Sequence, residues 1–138
     1  TMYITNKENT KFKVCNTIRK FLLENKTLQL LVGKRIFPVT LTEGAGDGDF
    51  VLYQRGSYKL SKTKQGIYDQ ECLILITCVS SDYDTSQEIA EQVYLSLQDI
   101  HNYKDPETGT IINWIDLDDS REEYAADKFV QLLIFRIQ

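Results

Sequence analysis

The sequence is poor in the residues that most often carry catalysis and metal binding. Its 138 residues include one histidine, one tryptophan, one methionine, two prolines and three cysteines. His101 has no second imidazole with which to share a metal or a proton relay. Set at the expected end of a helix, it reads as a favourable contact between a partly charged ring and the helix C-terminus. Cys15, Cys72 and Cys78 form no C-x-x-C pair. If Cys72 and Cys78 share a strand, their spacing puts them about 20 Å apart at ~3.3 Å per residue, too far for a disulfide. Free thiols of a reducing cytoplasm are therefore expected. No apolar run approaches the ~20 residues of a membrane helix. The opening residues, Thr1-Met2-Tyr3-Ile4, lack the basic region and apolar core of a secretory signal.

Signatures of turnover are missing as well. Gly44-Ala45-Gly46-Asp47-Gly48 is not followed by the Gly-Lys-Ser/Thr of a phosphate loop, and Asp47 and Asp49 would repel phosphate. There is no G-x-S-x-G, no H-E-x-x-H and no Cys/His pair on plausible elements. These absences favour a protein that binds over one that catalyses, with no cofactor and no metal.

What is present is the composition of a soluble globular domain. Hydrophobic residues make up 42% and charged residues 26% of a 16.0 kDa chain. That length predicts a single domain over residues 1–138. Such a domain hides roughly two-thirds of its unfolded surface. The net charge of −4 conceals a division. Residues 1–64 carry twelve Lys/Arg against five Asp/Glu, whereas residues 65–138 carry four against fifteen. Such asymmetry is a flag for a charged partner.

Hydrophobic periodicity predicts the elements. Residues 8–25 read as a helix with Phe12, Cys15, Ile18, Phe21 and Leu22 on one side and Lys11, Lys13, Arg19 and Lys20 on the other. A short helical turn over residues 26–32 stops at Gly33, and Pro38 forces an extended approach. Residues 42–49 read as a flexible surface loop. Strands are expected over residues 50–60 and 68–79, joined as an antiparallel hairpin. A second helix, capped by Asp84, Thr85 or Ser86, is expected to run to about Asn102 with Ile89, Ala90, Val93, Leu97 and Ile100 as its apolar stripe. Strands over residues 111–117 and 129–137 flank the acidic stretch 118–127, which reads as a solvated hairpin turn. The expected class is α+β: an antiparallel sheet of about four main strands with two helices on one face, in the order α-β-β-α-β-β.

Two features of that scheme bear on function. The strands over residues 68–79 and 129–137 are apolar on both sides: Leu73, Leu75 and Val79 oppose Ile74 and Ile76, while Phe129, Leu133, Phe135 and Ile137 oppose Val130, Leu132 and Ile134. Two modest helices can hardly cover both faces, so either a loop folds over the second face or, as the favoured expectation, another subunit covers it. The charge, meanwhile, concentrates in two segments. Arg55, Lys59, Lys62 and Lys64 form a basic hairpin with Tyr53, Tyr58 and Tyr68 nearby; Asp116, Asp118, Asp119, Glu122, Glu123 and Asp127 form an acidic one. Lysines and arginines among aromatics suit single-stranded nucleic acid, but lysines also guard an exposed hairpin against aggregation. The carboxylates suit Mg²⁺ or Ca²⁺, yet lack calcium-loop spacing. A metal-dependent nuclease would want a lysine beside paired acids, and Asp69-Gln70-Glu71 is followed by Cys72 instead. An electrostatic docking surface remains a third reading.

The order of elements and several short motifs resemble the tail-completion, or tail-terminator, proteins of long-tailed bacteriophages and prophages. The residues are Leu28-Gln-Leu-Leu-Val-Gly-Lys-Arg-Ile-Phe-Pro38, then Phe50-Val-Leu-Tyr-Gln-Arg55, then Gly66 ahead of the long apolar strand, and Ser80-Ser81-Asp82 leading into a helix with Ile89-Ala90 and residues 93–97. The family often has proline before the aromatic at position 50, where this chain has Asp49. The resemblance implies a structural virion component without catalysis: a homo-oligomeric, hexameric ring on the head-proximal end of the tail tube. Such a ring stops tube polymerisation, joins tail to head-connector protein and lets DNA pass. It implies a place in the virion tail after assembly in the bacterial host cytoplasm, with no membrane. On this reading the basic residues 55–64 and the acidic residues 116–127 are candidate subunit interfaces or lumen walls.

Overall fold

The computed structural model describes residues 10–62 and 68–138. The first helix, α1, spans Val14–Glu24 and buries Val14, Thr17, Ile18 and Leu22. The buried stripe is thus turned from the expected one. Cys15 and Phe21 are only half-buried, and Phe12 precedes the helix with 64% of its surface exposed. Lys11, expected on the solvent side, is buried, and its amide donates to the Tyr58 hydroxyl at 3.1 Å.

Asn25 breaks the helix with an extended backbone and caps α2 (Lys26–Val32), accepting from the Leu28 amide at 3.0 Å. Its amide nitrogen also donates to the Gln92 carbonyl at 3.0 Å and the Ser96 hydroxyl at 2.9 Å, which locks the break to the third helix. Gly33 ends α2 at φ 62°, a conformation that costs glycine nothing, and its amide returns to the Gln29 carbonyl at 2.7 Å.

β1 (Ile36–Pro38) is a short edge strand running parallel to β2 (Phe50–Lys62). Proline suits that edge because it has no amide to donate. The loop between them carries few apolar residues and is held largely from within. Arg35 donates to the carbonyls of Ala45, Gly46, Gly48 and Asp49, replacing a core with one guanidinium. β3 (Tyr68–Ser80) pairs antiparallel with β2 and leads into α3 (Tyr83–Leu97). The cap is Asp82, ahead of the three expected candidates; it accepts from the Thr85 amide at 2.9 Å and from the Thr85 hydroxyl. α3 buries Ser86, Ile89, Val93 and Leu97.

The helix stops at Leu97 rather than near Asn102, because His101–Lys104 forms β4 and pairs with β5 (Ile111–Ala125). His101 is therefore an exposed strand residue opposite Trp114, not a helix terminus, and its Nδ1 lies 3.0 Å from the Asp99 carbonyl. β6 (Lys128–Ile137) returns antiparallel to both β5 and β3. The α+β class stands, with a larger sheet than expected: six strands in the order β1-β2-β3-β6-β5-β4, and three helices. Only the β1–β2 pairing is parallel among the described pairs.

The core lies on one side of this sheet. Cys72, Ile74, Ile76 and Cys78 of β3 and Leu133, Phe135 and Ile137 of β6 pack with the buried residues of all three helices. Asp105, just past β4, ties the 105–110 turn to α1. It accepts from the Thr17 hydroxyl, the Glu107 amide at 2.8 Å and the Lys20 ammonium at 3.1 Å, while 1% exposed. Burial alone would push this carboxyl up, but those hydrogen bonds together outweigh it and hold it at about 2.

Candidate functional site

In antiparallel strands, directly opposed residues share a face, and successive residues alternate. The register therefore assigns the second face without ambiguity: Leu52 and Gln54 of β2, Leu73, Leu75 and Thr77 of β3, and Leu132, Ile134 and Arg136 of β6. These β3 and β6 residues are half-buried by their own neighbours, and none belongs to the core under the helices. Gly56 lets Leu75 lie across β2, since a Cβ there would come within 2.5 Å of Leu75 Cδ1. Among the described residues, the loop between β1 and β2 stands over the far end of the face. Leu41 and the 46–48 segment of the Arg35-held loop meet Val79, Val130 and Lys128 there, and Val79 is only 7% exposed. Of the two covers weighed from the apolar pattern, a loop stands at one end of this face, and among the described residues no helix packs over its centre.

The basic segment is split. Arg55 opposes Ile74 and lies on the helix-covered side, its guanidinium 5.1 Å from the Phe12 ring centre and 5.9 Å from that of Tyr58. A one-residue bulge between Arg55 and Tyr58 changes the phase, so Lys59, opposite Glu71, belongs to the uncovered side. Lys62 ends β2 opposite Tyr68, and Lys64 lies outside the described residues. Tyr58 spends its hydroxyl internally, donating to Gln70 at 2.6 Å while accepting from the Lys11 amide.

The acidic segment is a strand, not the expected solvated turn. β5 runs through to Ala125, and the turn is only Ala126-Asp127, both at positive φ (52° and 62°), the geometry that matches strand twist in a two-residue hairpin. Alternation then disperses the carboxylates. Asp116, Asp119 and Glu123 face the uncovered side opposite Arg136, Ile134 and Val130, while Glu122 faces the helices opposite Gln131. Asp118 occupies a bulge and pairs with Arg136 at 3.0 Å; Arg136 also reaches Glu71 at 2.9 Å. Glu123 lies 3.8 Å from Arg121, Asp119 accepts from the Ser120 amide, and Asp127 sits in the turn. Among the described residues no three His, Cys, Asp or Glu side chains gather into a metal centre. Burial pushes the Cys15 and Cys72 thiols up to about 11 and Cys78 higher still, so none is an activated nucleophile.

The topology sets the far part of the acidic segment, Glu122 to Asp127, apart from the basic hairpin, whereas Asp116 and Asp118 lie beside Arg136, which reaches Glu71, the residue opposite Lys59. β2 and β3 extend past the last β3–β6 pair, Cys72 with Ile137, so the basic hairpin projects from one end of the sheet. The β5–β6 turn lies beside the Ser80–Phe129 pair at the opposite end. Positive and negative hairpins thus point away from each other along the strand direction.

At the acidic end the structure joins Phe129, already placed by strand patterning, to Tyr83 and Tyr124, which that patterning did not single out. Tyr83, Tyr124 and Phe129 line a cleft of about 270 Å³ with Glu122, Glu123 and Gln131. Phe129 stands 5.5 Å from Tyr83 and 4.9 Å from Tyr124, ring centre to ring centre. Glu122 accepts from Tyr83 at 3.0 Å and from Gln131 at 2.9 Å. The tyrosines beside the acids were visible in sequence; that Tyr83, at the start of α3, joins them is a product of the fold. Arg35 and Arg136 were missed for the same reason, since their partners are distant in sequence.

No family model matches the sequence, and no curated protein matches it. Among solved structures the chain is similar to a chain in the virion of a native gene transfer agent particle. The TM-score is 0.69 at 16% sequence identity, covering 87% of this chain and 89% of that one. At this identity the likeness establishes a shared fold across nearly the whole of both chains.

Proposed function

We propose that this chain is a structural virion component that works by assembling, with no reaction of its own. More specifically, it is a tail-terminator-like subunit that closes into a homo-oligomeric ring on the head-proximal end of a tail tube. There it stops tube growth and joins the tail to a head-connector protein. The observation that carries the reading is an uncovered apolar sheet face on a fold shared with a virion chain. A half-buried strip of Leu73, Leu75, Leu132 and Ile134 gains little from remaining open to water, and a neighbouring subunit would remove it.

The polarity of charge supports a ring. Head-to-tail contacts join one surface to a different surface of the next copy, and hairpins of opposite sign at opposite ends of the sheet are suited to such contacts. The acidic face of β5, with Asp116, Asp119 and Glu123, has a second use in this scheme as a lumen wall that repels passing DNA. The reading is tested by mixing the purified chain with a polymerising tail-tube protein of the same source. Electron microscopy should reveal rings capping one end of each tube, and tubes should stop lengthening. Tubes that grow unhindered with no ring at either end would remove the terminator role.

A further inference from the structure

We infer that the cleft lined by Tyr83, Tyr124, Phe129 and Glu122 receives a basic side chain from strand β2 of a second copy, with Lys59 as the side chain delivered. The inference rests on the ring reading and names the partner of its acidic end. Three rings meet edge-to-face or tilted, with Tyr124 62% exposed and Tyr83 38% exposed, so aromatic faces remain open to an incoming group. Aromatic faces carry negative potential and attract ammonium and guanidinium groups within about 6 Å. Glu122 adds a full charge at the cleft, oriented by Tyr83 and Gln131 through neutral hydrogen bonds. Among the described residues no cation pairs with it. Glu123 lies on the rim with Arg121. The ligand class this selects is an alkyl cation: apolar stem against rings, charge against Glu122.

The occupant follows from charge and placement. The positive strand β2 projects from the end of the sheet opposite the cleft, and Lys59 is exposed there. A head-to-tail neighbour would bring the positive end of one copy to the negative end of the next. Intramolecular closure is unavailable, because β3 and β6 separate β2 from β5.

Sedimentation velocity of the full chain at low and high salt tests this with Tyr124→Leu, Glu122→Gln, Lys59→Glu and the swap Glu122→Lys with Lys59→Glu. Tyr124→Leu keeps apolar area but loses the ring, and melting curves should match the parent because the side chain is mostly exposed. Each single variant should weaken self-association by about tenfold, the order expected of one desolvated cation–π or charge contact. The swap should recover part of that loss. Assembly by Tyr124→Leu and Glu122→Gln at parental strength overturns the inference while leaving the ring reading intact. Weakening by those two but not by Lys59→Glu overturns Lys59 as the occupant. A parent chain that stays monomeric at all concentrations overturns both.

Discussion

The two faces of β3 and β6 are built from nearly the same side chains and meet different surroundings. Under the helices, Cys72, Ile74, Ile76, Leu133, Phe135 and Ile137 are at most 4% exposed. On the other side, Leu73, Leu75, Leu132 and Ile134 reach only half-burial among their strand neighbours. An antiparallel sheet that met water on this side would alternate into polar residues. This one carries polar residues mostly around its apolar centre, at Gln54, Lys59, Glu71, Arg136, Asp116, Asp119 and Glu123, with Thr77 the polar member of the central group. The difference teaches that, among the described residues, folding satisfies one face and leaves the other half-buried, the face that the proposed ring would use for a neighbouring subunit. The same contrast appears in charge. Under the helices a buried carboxylate, Asp105, is fully engaged by α1 and its own turn. At the rim of the open face, Arg136 bridges Glu71 and Asp118 in the open, an arrangement worth little to stability in water.

The largest effect should come from truncating the covered face. Phe135→Ala should cost about 3–5 kcal/mol in urea unfolding, because Phe135 sits 1% exposed amid the helix contacts. Ile134→Ala, one residue along on the open face, should cost less than half as much in the dissociated chain. Equal losses would mean that both faces are equally packed within one chain, and the contrast would fail.

A smaller effect distinguishes the buried charge from the rim. Asp105 has its carboxyl lowered from 3.8 to about 2 in the folded chain. A depressed carboxylate contributes stability that is present above its unfolded value and lost as pH falls through the folded one. Stability should therefore decline between about pH 4 and pH 2, and Asp105→Asn should flatten that decline while costing about 1–3 kcal/mol at neutral pH. Thermal melts at pH 7, 4 and 2.5 check both parts. Asp118→Asn, in the exposed pair with Arg136, should cost less than half as much at neutral pH; an equal cost would erase the distinction.

Much of the fold was legible because it is written in local periodicity. The stripe Ile89, Val93 and Leu97, the alternation along residues 68–79 and the cap at Gly33 are each set by neighbours within one element. The parts that were not legible depend on partners far along the chain. His101 reads as a helix end until β5 offers it a strand partner. Phe12 has helical spacing with Cys15, but the helix begins only at Val14, and the ring turns to Arg55 and Tyr58 instead. The acidic stretch 118–127 reads as a loop because strands are usually recognised by apolar alternation, and here β6 supplies the pairing for a strand of mostly charged residues. For the candidate site, the two-sided apolar strands and the charged segments were visible from composition alone. The placement of the two hairpin tips at opposite ends of the sheet, the dispersal of the acids along β5, and the phase change that sends Arg55 and Lys59 to different faces required the register.

The most direct measurement is the association state of the chain with its open face made polar. Leu75→Ser with Ile134→Ser removes two apolar side chains that lie opposite each other on that face and leaves every helix contact in place. Sedimentation velocity over a hundredfold range of concentration should find the parent forming a closed oligomer and the double variant remaining a folded monomer, with its circular dichroism unchanged. A double variant that assembles as the parent does, or a parent that never assembles, would contradict the claim that this face is built for another subunit.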